Sequence, residues 1–158
     1  MSEGILIIAS VVIATSIAGV VMSQVGVFES TFTATSESQK DMMLTKVKIV
    51  YATNTTDNNV SIWVKNIGIN PITDVDKLDV YYGEIDQVIN IPFNDGCLPL
   101  ACSDDEWDYD LKPDPLWQIM DTFSLNITDD DLQKDVTYVV SITTPNGVTD
   151  EHIFSLPS

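Results

Sequence analysis

Residues 4–26 read GILIIASVVIATSIAGVVMSQVG, an apolar run that contains no charged side chain. A helix of this length spans roughly 34 Å, enough to cross a hydrocarbon core of about 30 Å. Because every backbone amide in lipid needs an internal partner, a helix is the structure that a single spanning segment adopts. A cleaved signal peptide would need a positively charged start, and residues 1–3 are Met-Ser-Glu. The sequence therefore predicts a retained transmembrane helix.

The predicted helix carries small residues at four-residue steps along two neighbouring rows. Small side chains let two helix backbones approach closely, and Ser and Thr hydroxyls can bond across the contact. Small residues are also common in membrane helices that make no such contact, which is the alternative explanation. We predict a helix–helix interface, for self-association or bundling, formed by Ser10, Ala14, Thr15, Ala18, Gly19 and Ser23.

The rest of the chain is strongly acidic. The 158 residues include 24 acidic and 7 basic side chains, for a net charge of −17, and Glu3 is the one charged residue before residue 29. Such a field repels phosphate, and the sequence has no arginine for a bidentate phosphate clamp, so we exclude nucleic acid as a partner. One histidine and two cysteines are too few for most zinc or iron–sulfur sites.

No motif for catalysis or cofactor binding appears in the sequence. It contains no G-x-S-x-G elbow, Walker loop or dinucleotide fingerprint, and His152 has no nucleophile near it. The acidic runs 104–106 and 129–131 lack the spacing of an EF-hand, so we interpret them as solvated surface rather than as calcium sites. We therefore expect a protein that is not an enzyme and that binds no cofactor.

The topology has to come from features other than the positive-inside rule, because neither flank of the apolar run is basic. Three Asn-x-Ser/Thr sequons begin at Asn54, Asn59 and Asn126, and such sites are glycosylated only outside the cytosol. Cys97 and Cys102 lie close together without a nearby histidine, which favours a local disulfide in an oxidising compartment; two free thiols are the alternative. These features predict an extracellular C-terminal domain.

Beyond the apolar run the sequence changes character twice. Residues 27–44 are mostly polar, and we predict that the helix continues through them as a stalk. After residue 44 the hydrophobic period becomes two, as in β-strands; Val47, Ile49 and Tyr51 are predicted to share one strand face, and Leu78, Val80 and Tyr82 another. Predicted strands cover residues 45–53, 60–67, 77–83, 87–91, 123–127, 136–143 and 148–156, the last two joined by a hairpin turn at Pro145-Asn146-Gly147.

Seven short strands with frequent turns predict an all-β domain, an immunoglobulin-like β-sandwich. The predicted organisation is therefore a transmembrane helix and stalk at 1–44, followed by an extracellular β-sandwich at 45–158.

An acidic, proline-containing stretch interrupts the predicted strands at residues 94–115, NDGCLPLACSDDEWDYDLKPDP. We predict a surface loop or insertion here, closed by the two cysteines. Trp107, Tyr109 and the nearby Trp117 lie among carboxylates, and aromatic residues in exposed loops often mark protein contacts. We treat these three residues as candidate partner contacts; the alternative is that they fold back over the end of the sandwich.

Two blocks of the sequence resemble a known family of archaellum proteins. They are SEGILIIASVVIATSIAGVVMSQ at 2–24 and VSIWVKNIGINPITDVDKLDVYYG at 60–83. Both resemble the FlaG (ArlG) family of accessory proteins and, more distantly, FlaF and the filament-forming archaellins. The second block carries most of the likeness, in Val64-Lys65-Asn66-Ile67-Gly68, Pro71-Ile72 and Tyr81-Tyr82-Gly83. The acidic stretch 94–115 has no counterpart in the family.

The resemblance implies a membrane-anchored, outward-facing stator component of the archaellum, the rotary motility machine of archaea. It also implies partners: the membrane, a FlaF-like archaellum protein, the surface-layer protein, and further copies of the chain in a homo-oligomer or filament. A filament-forming archaellin or type IV pilin-like subunit is the first alternative, and a membrane-tethered ligand-binding or hydrolytic ectodomain is the second. Archaellins and pilins start with a basic leader that a peptidase removes; since none is present, we expect a chain that is already processed or that is not processed in this way.

Overall fold

A computed structural model describes residues 2–96, 105–110 and 116–156. The chain forms two compact units, Met1–Lys40 and Asp41–Ser158. Helix α1, Ser2–Leu44, makes up the first unit and contributes its last turn to the second. The sequence of α1 contains no proline, so no position interrupts its backbone hydrogen bonds. The predicted continuation of the helix through residues 27–44 is confirmed.

The part of the second unit that the structure describes contains eight strands in two antiparallel sheets. A short 3₁₀ helix, Val75–Lys77, lies between the second and third strands. The strands are β1 Val47–Thr56, β2 Asn59–Asn66, β3 Asp79–Glu84, β4 Gln87–Ile91, β5 Glu106–Asp110, β6 Thr122–Thr128, β7 Thr137–Thr143 and β8 Thr149–Ser155. Sheet 1 has the order β1-β2-β6-β5, and sheet 2 has the order β4-β3-β7-β8.

This strand order is that of an immunoglobulin fold with one extra strand. Strands β1, β2, β6 and β5 take the positions A, B, E and D, while β4, β3, β7 and β8 take C′, C, F and G. The hydroxyl of Tyr138, at the start of β7, accepts a hydrogen bond from the backbone N–H of Gln133 at 2.8 Å. A tyrosine that bonds back to the upstream backbone in this way is the tyrosine corner of immunoglobulin-like domains. The predicted sandwich is confirmed.

The core lies between the two sheets and is built from alternate side chains, because successive residues of a strand point to opposite faces. Leu78, Val80 and Tyr82 are 4%, 0% and 2% exposed, as their alternation predicts. The predicted turn between β7 and β8 is also confirmed. Gly147 adopts a φ of 86° there, a conformation that glycine reaches without strain.

One strand was not predicted. Within the acidic stretch 94–115, residues Glu106–Asp110 form β5, which pairs with β6 at the edge of sheet 1. The prediction of a loop was wrong for these residues. Trp107 and Tyr109 alternate with carboxylates, but burial does not follow this alternation: Trp107 and Asp108 are buried, and Tyr109 is partly exposed. The composition of β5 is that of a solvated loop.

In β1, the side chains that share one face of the strand also differ from the prediction. A β-bulge between Ile49 and Tyr51 leaves Val50 55% exposed and shifts the alternation by one residue. Tyr51 therefore lies on the outer face of sheet 1, opposite Trp63, and is 57% exposed. The prediction that it shares a face with Val47 and Ile49 was wrong.

Both open sides of the sandwich are partly closed by hydrogen bonds between the sheets. Asp150 of β8 accepts the backbone N–H of Ile49 in β1 at 2.7 Å. On the other side, the N–H of Trp107 in β5 donates to the Pro92 carbonyl at 3.1 Å, and Asn94 donates to the Trp107 carbonyl at 3.0 Å. These bonds occupy backbone groups that would otherwise invite another strand to pair.

The tyrosine corner gives the first prediction. Tyr138→Phe keeps the ring and removes the hydroxyl that accepts the Gln133 N–H. We expect the free energy of unfolding to fall by about 1 kcal/mol, because a partly buried donor loses its acceptor. The measurement is urea unfolding of the full chain in detergent micelles, followed by tryptophan fluorescence. Tyr81→Phe, at a tyrosine that is 42% exposed, is the control; equal midpoints for the two variants would contradict the assignment.

Candidate functional site

The apolar surface of α1 is exposed around the helix. Ile13, Val21 and Val25 are 59%, 53% and 58% exposed, for example. By length and composition the stretch Ile7–Leu44 could cross a membrane. An 18-residue segment within it has a mean hydropathy of 2.0, and none of that segment is buried. An apolar surface of this extent is stable only when lipid or other helices cover it.

The predicted helix–helix residues lie on this exposed surface. The Ser10 hydroxyl donates to the Ile7 carbonyl at 2.8 Å, and the Thr15 hydroxyl is likewise bonded to carbonyls of the preceding turn. These hydroxyls already have acceptors within α1, so a contact here depends mainly on close packing. A Cβ atom at Gly19 would meet nothing within 4 Å, and the backbone is open to a neighbour there. The interface formed by Ser10, Ala14, Thr15, Ala18, Gly19 and Ser23 stays a prediction.

The second prediction tests this interface. Gly19→Leu places a bulky side chain where two backbones would meet, so we expect self-association to weaken by about 1 kcal/mol. Energy transfer between labelled full-length chains in detergent micelles measures the association. Val20→Leu adds a single methylene on a different side of α1 and is the matched control. If both variants associate like the parent chain, Gly19 is not at an interface.

The last turn of α1 is held by the sandwich unit, to which it belongs. The final four carbonyls of a helix have no partner within the helix. Here the Leu44 carbonyl accepts the N–H of Ile69 at 2.9 Å. The Asp41 carbonyl accepts a hydrogen bond from the side-chain amide of Asn146 at 3.3 Å. Two loops, at residues 66–70 and 144–148, therefore cap the end of the helix; we call this arrangement the helix joint.

Asn66 organises the first of these loops. Its side chain is fully buried, and its Nδ2 donates to the carbonyls of Asn70 at 2.9 Å and Trp117 at 3.3 Å. Its Oδ1 accepts the N–H of Gly68 at 3.0 Å. Because donor and acceptor are both satisfied, the buried amide fixes the loop without leaving an unpaired polar group.

Gly68 lets the loop approach the helix end closely. A Cβ atom at this position would lie 2.6 Å from both the Leu44 carbonyl oxygen and the Lys46 nitrogen. The approach is secured by the N–H of Ile67, which donates to the Lys46 carbonyl at 2.8 Å. Asn66 and Gly68 belong to the block that carries the family resemblance, but sequence analysis did not identify them as joint residues. Their partners are distant in sequence, and only the asparagine–glycine spacing could have drawn attention to them.

The second loop is held by Asn146. Its Nδ2 donates to the Thr45 hydroxyl at 2.6 Å, and its Oδ1 accepts the Thr144 hydroxyl at 2.6 Å. A cavity of about 240 Å³ lies beside this contact, lined by Asp41, Thr45, Asn70, Pro71, Ile72, Thr73, Pro145 and Asn146. These lining residues supply one carboxylate and no thiol or imidazole.

The third prediction concerns the helix joint. Gly68→Ala forces a methyl group against two backbone atoms, and we expect a loss of about 2 kcal/mol in the free energy of unfolding. Gly26→Ala is the matched control, because a Cβ there meets nothing within 4 Å and alanine is the better helix former. Thermal unfolding of the full chain in detergent compares the two. A Gly68→Ala chain as stable as the Gly26→Ala chain would contradict the close approach.

Two of the three candidate partner contacts are core residues. Trp107 and Trp117 are both 0% exposed. Trp107 packs against Phe93 with ring centroids 4.8 Å apart, and Trp117 meets Phe123 edge-on at 4.5 Å. This burial matches the alternative that the aromatic residues fold back into the sandwich, and it leaves the two indoles no surface for a partner. Tyr109 is partly exposed, and a contact through it stays a prediction.

Two of the sequons face each other across sheet 1. The antiparallel register places Asn59 opposite Thr128 and Ser61 opposite Asn126. The hydroxyl of each sequon donates to the asparagine of the other: Ser61 bonds Asn126 Oδ1, and Thr128 bonds Asn59 Oδ1 at 3.2 Å. Asn54 lies in β1, and all three asparagines are partly exposed. Their use as glycosylation sites stays a prediction.

The remaining sequence features are placed as follows. Cys97 and Cys102 lie outside the described residues, so their disulfide stays a prediction.

Asp129 accepts hydrogen bonds from the Tyr82 hydroxyl at 2.9 Å and from the Asp131 N–H at 3.0 Å. Burial, reinforced by the charge of Asp129, raises the pKa of Tyr82 far above its usual range, so the hydroxyl stays a donor. Across residues 2–96, 105–110 and 116–156, no group of three or more His, Cys, Asp or Glu side chains is placed to hold a metal ion.

Together these features define a class: an apolar helix long enough to span a membrane, followed by an immunoglobulin-like domain whose loops cap the last turn of the helix. The model of the archaeal-type flagellin family matches residues 1–154, which include α1 and nearly all of the sandwich. The chain belongs to the archaeal-type flagellin family.

Solved structures agree with the resemblance seen in the sequence. The archaellum periplasmic stator protein FlaG from Sulfolobus acidocaldarius is 28% identical, with a TM-score of 0.59 over 70% of this chain and 100% of that chain. The archaellum periplasmic stator protein complex FlaF and FlaG from Sulfolobus acidocaldarius gives 29% identity and a TM-score of 0.58, over 71% of this chain and 90% of that chain. A comparison with curated proteins finds no match.

Proposed function

We propose that this chain is a structural component of the archaellum motor, a stator protein rather than an enzyme. In this proposal α1 anchors the chain in the cell membrane, and the sandwich stands outside the cell and links the motor to the envelope. The observation that carries the proposal is the likeness to the FlaG stator protein, at 28% identity over the whole of that chain.

The helix joint supports a mechanical role. A stator resists torque, so it needs an anchor and a stiff connection from the anchor to the part that grips the envelope. The two helix carbonyls bonded by Ile69 and Asn146, together with the close approach at Gly68, supply such a connection within the sandwich unit. Asn66 and Gly68, which shape the first of the two loops, are both buried.

The proposed partners follow from the same likeness. A FlaF-like archaellum protein is the first, since a relative has been solved as a complex of FlaF and FlaG. The surface-layer protein is the proposed fixed attachment, and the membrane holds α1. Further copies of the chain are the proposed partners of the small-residue rows of α1.

A filament-forming archaellin or pilin-like subunit is the second candidate. The family model favours it, because the match begins at residue 1 and includes α1. The core of a helical filament would cover the apolar surface of α1 as well as lipid does.

The fourth prediction separates these two functions. Deleting the gene from a motile strain should abolish swimming while filaments remain visible on the cells by electron microscopy, because a stator is needed for torque and not for filament growth. Reintroducing the parent gene should restore swimming. If the deletion removes the filaments, and sheared filaments from parent cells contain this chain as the major species, the protein is a filament subunit.

A further inference from the structure

One part of the surface carries the opposite charge from the rest of the molecule. On the outer face of sheet 1, lysine side chains and two aromatic rings lie together on β1, β2 and the residue just before β1. We call this the basic–aromatic patch, and it consists of Lys46, Lys48, Tyr51, Trp63 and Lys65. It holds three of the seven lysines of a chain whose net charge is −17.

The charges of the patch are poorly compensated within the molecule. Lys48 lies directly opposite Lys65 in the β1–β2 register, an arrangement that destabilises a sheet. Lys48 is paired with Asp150 at 3.1 Å, but Lys46 and Lys65 form no ion pair with any described residue. On the neighbouring strand β6, Thr122 and Ser124 face the patch, and both are neutral; they separate it from Asp110 on β5, which lies opposite Ser124 on the same face. The patch therefore keeps a local positive charge.

The aromatic pair makes the patch more than a group of charges. Tyr51 and Trp63 lie opposite each other with ring centroids 5.7 Å apart, next to the Lys48–Lys65 pair. Tyr51 is 57% exposed because the bulge at Val50 turns it outward. Exposed aromatic rings beside cationic side chains are the composition of a protein contact, in which the rings supply most of the affinity.

We propose that the basic–aromatic patch docks a carboxylate-rich segment of a different protein. Its lysines would pair with the carboxylates and steer the encounter, while Tyr51 and Trp63 would pack against the segment. We assign that segment to a protein of the cell envelope, and this assignment rests on the proposed function. The patch itself is defined by the β1–β2 strand register, the exposed fraction of its side chains and the charges of its lysines.

The strong negative charge of the chain favours this partner over two others. A flat anionic membrane surface would face the acidic surroundings of the patch as well as its lysines, and the surroundings repel it. A second copy brings another net charge of −17 to the encounter. A narrow acidic segment, in contrast, can approach the three lysines to within the screening length of about 8 Å. The rest of its protein can stay farther than that from the acidic surface around the patch.

Trp63 reports on the patch directly. It is the partly exposed one of the three tryptophans, since Trp107 and Trp117 are 0% exposed. With each ion's quenching normalised to that of free N-acetyl-tryptophanamide, we expect iodide to quench the full chain in neutral detergent about twofold more than caesium does, because anions concentrate at a positive patch. Added poly-L-glutamate should protect Trp63 from iodide, and this protection measures binding.

The variants are matched in charge. Lys46→Gln with Lys65→Gln removes two lysines without touching the Lys48–Asp150 pair, and we expect poly-L-glutamate to bind about tenfold more weakly. Lys77→Gln with Lys134→Gln makes the same change of net charge elsewhere and should leave binding unchanged. Equal effects of the two pairs, or no protection of the parent chain, would overturn the proposal.

Two further outcomes would also overturn it. Anionic phosphatidylglycerol vesicles that protect Trp63 better than poly-L-glutamate would make the patch a membrane contact. Protection that grows with the concentration of the chain alone, and that Lys46→Gln with Lys65→Gln removes, would make it a contact between copies. All of these measurements use the purified chain, so their failure leaves the deletion experiment and the proposed function untouched.

Discussion

Water is a poor solvent for α1, whose isoleucine and valine side chains between Ile5 and Val25 are 53–70% exposed. Hydrophobic burial is the main favourable term in protein stability, and the apolar, membrane-spanning part of this helix obtains none of it from its own chain. The sandwich, in contrast, encloses its own core and presents an acidic surface that water solvates. The two units therefore require different surroundings, and both candidate functions satisfy this requirement. A stator places α1 in lipid, and a filament subunit places it among other helices.

The end of α1 is fixed by the sandwich unit, to which its last turn belongs. β1 begins at Val47, soon after the last helical residue Leu44, so any load on the helix reaches the sandwich through a short segment. Hydrogen bonds from two loops of the sandwich hold that segment, and Gly68 removes the space in which it could shift.

Sequence periodicity predicted the helix, most of the strands and the hairpin at Asn146-Gly147, because each depends on local patterns. It failed where the signal was mixed or distant. In β5 three carboxylates alternate with Trp107 and Tyr109, a composition typical of a loop. The bulge that turns Tyr51 outward contains no glycine that would indicate it. The helix joint could not be predicted from the sequence for another reason. Asn66 and Gly68 are ordinary turn residues by type, and only the fold brings them to the end of α1.

The arrangement of the lysines allows a direct test of the central claim, that α1 is a membrane anchor and that the sandwich lies outside the cell. All seven lysines lie at residue 40 or beyond, after the apolar run. A membrane-impermeant amine reagent applied to intact cells should therefore label the chain in the membrane fraction as strongly as it does after lysis. Labelling that appears only after lysis, or a chain recovered in the aqueous fraction without detergent, would contradict the account.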